Sequence, residues 1–246
     1  MVYVMRVTPE HELFVRFWRP DWEAFGQVFR LGWPIGITSV AETGLFAASS
    51  VMMGWLGTLQ LAAHGIALQI TSMMFMAHVG LSNAATVRAG QAAGRRDADE
   101  LKRGALVILG LSGAMVLMTV ILFLSIPEFM IGLFLDPDDV ARDAVIATGV
   151  MLLAAAALFQ LADAAQVMAL GLLRGVQDTK VPMIIAGLSY WVIGVPVSYY
   201  LGFVLGWHGV GVWLGLAFGL ALAGAFMMAR FWGWSLPEVR RNAGPR

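Results

Sequence analysis

Two acidic side chains stand where the sequence otherwise carries no charge. Glu42 is the only Asp, Glu, Lys or Arg in an apolar stretch at about 31–57, and Asp163 the only one at about 144–173. An ionisable group in the hydrocarbon of a membrane costs at least about 2.5 kcal/mol on insertion scales, so it needs a compensating role. Glu42 lies eleven residues in from Leu31, and Asp163 ten residues in from Leu173. At about 1.5 Å per residue, both are expected roughly 15–17 Å from one membrane edge. If their two spans are neighbours, the acids share a cavity near mid-membrane. No basic residue lies at that depth to neutralise them. Two carboxyls close together cannot easily both ionise, and the natural counter-charge is then mobile: H+, Na+ or a cationic substrate. Binding or release of such an ion biases which face of a carrier is open. The competing reading has both carboxyls protonated and hydrogen-bonded inside a non-transporting membrane scaffold.

Polar neighbours surround both acids. Thr38 precedes Glu42 by one helical turn, Gln160 and Gln166 flank Asp163 at three residues, and Phe159 precedes it by four. At those spacings the side chains share a face with the acid, so Thr38, Phe159, Gln160 and Gln166 are candidates to line the cavity. Gln69, Thr71, Ser72, Ser82 and Asn83 make the stretch at 61–87 unusually polar. They either line the cavity or hydrogen-bond between helices. Met73, Met74 and Met76 read more readily as packing than as a pliable pocket.

Other chemistry finds little support. Gly110-Leu-Ser112-Gly resembles the nucleophile motif of rhomboid intramembrane proteases, but such a serine needs a histidine base in reach. The only histidine after Ser112 is His208, in a loop. His64 and His78 are fourteen residues apart, about 21 Å along a helix, and cannot share a metal there. There is no cysteine for a thiolate site or a disulfide, and no phosphate-binding glycine loop. The expectation is a protein that is not an enzyme and has no cofactor beyond a coupling ion, H+ or Na+.

The elements that must position the acids follow from hydropathy. Of 246 residues, 59% are hydrophobic and 13% charged, with mean hydropathy +0.75. A soluble domain carries roughly twice that charged fraction, so most of this chain has lipid as its solvent. Six stretches reach the roughly 20 residues needed to cross as a helix: about 31–57, 61–87, 104–127, 144–173, 181–206 and 209–229. The fold class is all-α integral membrane, a six-transmembrane-helix bundle at 31–232. Residues 1–30 read as a lead-in without a cleavable signal, and 233–246 as a tail. Fifteen Lys and Arg fall on the side of the termini and one, Arg142, on the other, so both termini are expected in the cytoplasm. Net charge is zero, which offers nothing to nucleic acid. A short interfacial helix is expected at 129–135, ended by Pro137. Pro34 and Pro182 are expected near first turns and Pro196 at an interior kink. Gly211, Gly215, Gly219 and Ala223 form a smooth stripe suited to close helix packing.

Several segments resemble MATE (multidrug and toxic compound extrusion) exporters of the NorM-like bacterial type. Leu31-Gly-Trp-Pro-Ile-Gly with Ala41-Glu42-Thr-Gly-Leu-Phe is similar to that family's seventh helix. Ala62-Ala-His64-Gly-Ile-Ala-Leu-Gln69 and Gly80-Leu-Ser-Asn-Ala-Ala-Thr-Val-Arg88-Ala-Gly90 are similar to the eighth. Ala162-Asp163-Ala-Ala-Gln166 with Gly171-Leu-Leu-Arg174-Gly-Val-Gln-Asp178-Thr resembles the tenth, and Ser189-Tyr-Trp-Val-Ile-Gly-Val-Pro196 the eleventh. The resemblance implies one lobe of a twelve-helix, two-lobe transporter in the bacterial inner membrane, exchanging H+ or Na+ for cationic amphiphilic drugs. It implies that Glu42 and Asp163 bind the cation. A tyrosine implicated four residues before that aspartate is replaced here by Phe159, which removes a hydroxyl. It also implies a missing N-terminal six-helix lobe, supplied by the same gene, a separate chain or a homodimer mate. The first of these is favoured, because the segment up to about residue 25 resembles the family's inter-lobe linker. A lipid-linked-sugar flippase shares the lobe plan but is expected to show a more basic cavity.

Overall fold

The computed structural model describes residues 21–242. Among them, six helices are long and apolar enough to cross a membrane. They are α1 (Trp22–Leu56), α2 (Thr58–Gly94), α3 (Ala98–Ser125), α5 (Arg142–Gly175), α6 (Lys180–Val204) and α7 (His208–Asn242). A short helix, α4 (Pro127–Gly132), follows α3. The protein is a multi-pass, all-helical membrane protein, as its hydropathy requires.

The helices outrun the apolar windows because capping, not hydropathy, sets where they begin. Asp21 accepts hydrogen bonds from the backbone N–H groups of Glu23 and Ala24 at 3.1 and 2.9 Å, satisfying donors that a helix start leaves open. α1 therefore starts nine residues before Leu31, and Pro34 lies well inside it rather than in its first turn. Asp97 caps α3 in the same way through the Glu100 N–H at 2.9 Å. Gly57 alone joins α1 to α2 with φ of 120°, a conformation that side chains beyond glycine rarely tolerate. At the other end of the chain, α7 runs on through π turns at Phe231–Ser235 to Asn242.

The short helix is shifted from its expected bounds, whereas Pro196 lies in the interior of its span as expected. α4 starts at Pro127 and ends at Gly132, so a proline opens the short helix and Pro137 lies beyond its end. Proline suits a first turn because its missing N–H would be unpaired there anyway. α6 absorbs Pro196 between π turns at Leu188–Gly194 and Tyr200–Val204. Widened turns are one way to relieve the clash a proline ring makes with the preceding turn.

α5 is the central helix, packed along α2, α7 and α3. In lipid, helices gain little from hiding apolar surface, so close backbone approach and interhelical hydrogen bonds hold them together. Ser82 of α2 donates to the Val167 carbonyl of α5 at 2.8 Å, and Thr86 lies 2.9 Å from the Gly171 carbonyl. The polar character of this part of α2 is thus interhelical bonding. The glycine stripe of α7 meets α6 backbone on backbone. A Cβ built on Gly215 would stand 2.3 Å from the Ser198 backbone, and one on Gly211 2.5 Å from Leu201. Outward residues such as Val107, Leu117, Met118 and Ile121 of α3 are large, apolar and exposed, as a lipid-facing surface demands.

Replacing Gly215 with Leu is expected to separate α6 from α7 and lower the thermal denaturation midpoint in detergent by roughly five to ten degrees, since overpacking costs about 1–3 kcal/mol even in cores that yield. Gly113→Ala on α3, where a Cβ would meet nothing within 4 Å, is expected to hold or slightly raise the midpoint through helix propensity. Equal behaviour of the two variants would rule out the packing described.

Candidate cation-binding site

A cleft of about 320 Å³ opens between α1, α2 and α5, and Glu42 and Asp163 both face it. α1 contributes Ser39, Glu42, Thr43 and Phe46, a spacing that places all four on one face. α2 contributes Leu68, Thr71, Ser72, Phe75 and Met76; α5 contributes Phe159 and Asp163. α1 is held to α2, α6 and α7 rather than packed along α5. The acids therefore face each other across a gap, and the gap is the cleft.

Asp163 is 2% exposed, and its Oδ1 has no protein hydrogen-bond partner; neither does the buried Oε1 of Glu42. Each acid lies within electrostatic reach of the other. The reading that no base lies near them needs correction. Arg174 starts near the end of α5, yet its long side chain brings a positive charge within reach of Glu42. Buried carboxylate oxygens left open by the protein fit a bound cation or proton, because an unsatisfied acceptor in low dielectric costs about 1–3 kcal/mol.

The remaining candidates divide. Phe159 lines the cleft as expected, its ring edge-on to Phe46 at 5.9 Å. Thr38 does not line it: the side chain is buried, and its hydroxyl donates to the Pro34 carbonyl at 2.9 Å. That bond is local, made to the carbonyl one turn back on the same helix. Gln160 and Gln166 are fully buried behind the cleft wall, and neither amide has a partner among the described residues. Met76 lines the cleft and is exposed; Met73 does not line it.

Toward the α1–α2 turn the cleft is closed by aromatic rings. Phe159 meets Trp213 at 5.3 Å, and Trp213 meets His64 at 5.6 Å, both edge-on. His64 is buried, with Nε2 3.2 Å from the Ser50 hydroxyl. The Ser50 hydroxyl also lies 3.1 Å from the Phe46 carbonyl, to which it can donate. On α6, Trp191 donates through Nε1 to the Ala41 carbonyl at 3.2 Å. Its ring lies on Gly44, where a Cβ would come within 2.7 Å of it. Glu42 is thus bracketed by two contacts to one tryptophan.

Sequence reasoning passed over Ser39, Thr43, Phe46, Phe75 and Arg174 as site residues. The first three carry a signal in the i, i+3, i+4, i+7 spacing of 39, 42, 43 and 46.

The MatE family pattern matches residues 34–200. The chain is 47% identical over 224 residues to "Probable multidrug resistance protein NorM" of Agrobacterium fabrum, covering 91% of this chain and 48% of that protein. It is 45% identical to the protein of the same name from Rhizobium meliloti, covering 93% of this chain and 50% of that one. The chain spans about half the length of the curated relatives it matches. Among solved structures, the eukaryotic MATE transporter AtDTX14 superposes with a TM-score of 0.82 at 17% identity, over 98% of this chain and 54% of that one. A MATE structure described as the bent conformation gives 0.83 at 16% identity, over 99% and 53%; these two show the fold. With the family pattern and the identities in agreement, the chain belongs to the MATE family.

Proposed function

We propose that this chain is the C-terminal half of a secondary multidrug exporter and that it carries the site coupling H+ or Na+ entry to the exit of cationic amphiphilic drugs. The observation that carries the reading is the pair of acids, Glu42 and Asp163, facing one cleft with buried oxygens unpartnered by the protein. The cleft walls also suit such drugs. Phe46, Phe75, Phe159 and Met76 offer rings and a pliable thioether to an apolar body, while the carboxylates attract its charge.

Glu42 and Asp163 exchange one kind of positive charge for another. With H+ or Na+ held between them, the acids are neutralised and the drug's cation has no partner. When that charge leaves, the two carboxylates repel across the gap between α1 and α5, and a cationic drug restores the balance. Arg174 holds Glu42 in partial check in either condition. The charge bias of fifteen to one supports cytoplasmic termini and residence in the bacterial inner membrane. An N-terminal six-helix lobe, tied to this one or supplied separately, completes the substrate path.

Drug efflux tests the reading in cells that receive this chain together with an N-terminal lobe from a relative. Glu42→Gln and Asp163→Asn are each expected to cut the rate at least tenfold at unchanged protein level. Variants that transport like the parent would refute the coupling role. Asp163→Leu is expected to unfold no more readily than the parent in detergent, because an apolar group of similar shape removes an unsatisfied buried carboxyl. A fall of several degrees in its denaturation midpoint would show instead that Asp163 is structural.

A further inference from the structure

Tyr190 is fully buried, and its hydroxyl has no hydrogen-bond partner within the geometry a formed bond requires. The group is not far from company. Gln166 lies beside it, and Glu42, Asp163 and Arg174 all lie within electrostatic range of it. Its own helix explains the aim. Tyr190 sits in the π turn Leu188–Gly194 of α6, and such single widened turns occur often at functional sites. The next residue, Trp191, is anchored to the Ala41 carbonyl and to Gly44 of α1, on either side of Glu42. Two consecutive side chains of one turn therefore lie near the same acid: Trp191 holds the α1 backbone beside Glu42, and Tyr190 buries its hydroxyl within electrostatic range of its carboxyl.

The set of groups has a chemical preference. A proton needs one oxygen. An alkali cation needs several, all hard, and accepts neutral and anionic oxygens together. Around the acids the buried, unpartnered groups include the Tyr190 hydroxyl and the Gln166 amide, each with a neutral oxygen to offer. A phenol can donate its hydrogen to the Gln166 carbonyl oxygen and turn its lone pairs to a cation.

We propose that Tyr190 is a ligand of the cation site, its phenol oxygen joining the carboxylates of Glu42 and Asp163 around Na+, with Gln166 orienting the phenol. The inference rests on the cation site proposed above, adds a residue to it and chooses between its two ions. Neither the third ligand nor the sodium preference follows from the two acids alone.

Sodium binding tests it without transport. The whole chain is placed in lipid nanodiscs, and 22Na+ binding is measured at pH 8 by equilibrium dialysis. Tyr190→Phe keeps the ring and is expected to weaken binding about tenfold, the worth of one polar contact to a charged group. Tyr199→Phe, on an exposed tyrosine of the same helix, is expected to bind as the parent does. Adding Phe159→Tyr to Tyr190→Phe puts a hydroxyl into the cleft one turn before Asp163 and is expected to recover most of the loss. In sodium-free buffer, Tyr190→Phe is expected to melt within a few degrees of the parent, but without the rise that sodium gives the parent. Parent-like sodium binding by Tyr190→Phe would overturn the inference while leaving the two acids in place. A parent that binds no sodium overturns it too, and leaves the acids a proton site. Binding untouched by Glu42→Gln and Asp163→Asn would instead remove the cation site beneath it.

Discussion

A carboxyl group surrounded by hydrocarbon must be neutralised by something, and in this lobe the protein leaves that neutralisation incomplete. Water could serve an exposed acid and a salt bridge could serve a buried one. Glu42 and Asp163 have only distant help from Arg174, and each keeps a buried oxygen without a partner. The fold accepts the cost at one place and organises around it. α1 stands off from α5, the gap fills with one face of each helix, and rings close it toward the α1–α2 turn. The open oxygens leave room for a positive charge that the protein itself does not supply.

The remainder of the bundle supplies the rigidity this arrangement needs. Packing in lipid depends on close contact and polar bonds between helices, and both are concentrated away from the cleft. Ser82 and Thr86 tie α2 to α5, while glycines let α7 sit directly on the α6 backbone. On the side carrying the basic loops, Arg230 bonds Asp178 at 2.9 Å and its guanidinium lies over the Trp234 ring. Arg240 reaches Asp99 at 3.3 Å. These contacts join the loop after α5, the end of α7 and the start of α3 into one cap.

Much of the fold was legible from hydropathy, because a span must be apolar for about the thickness of the bilayer whatever its neighbours are. The ends were not, since Asp21 and the turns beyond Arg230 extend helices into regions where apolarity gives no signal. That also misplaced Pro34, whose position depends on where α1 begins. Glu42 and Asp163, matched by depth, and Phe159, matched by spacing, line one cleft. Thr38, Gln160 and Gln166 share a face with their acids by spacing, yet a face spans an arc, and only part of it meets the cleft. Side-chain length hid Arg174.

The glycine contact between α6 and α7 has a mechanical corollary. Two helices that touch through their backbones cannot slide or roll without collision, so this pair behaves as a single strut. α1 is fastened to it beside Glu42 by one indole hydrogen bond and one ring stacked on Gly44. Trp191 therefore ties the segment of α1 that carries Glu42 to that strut.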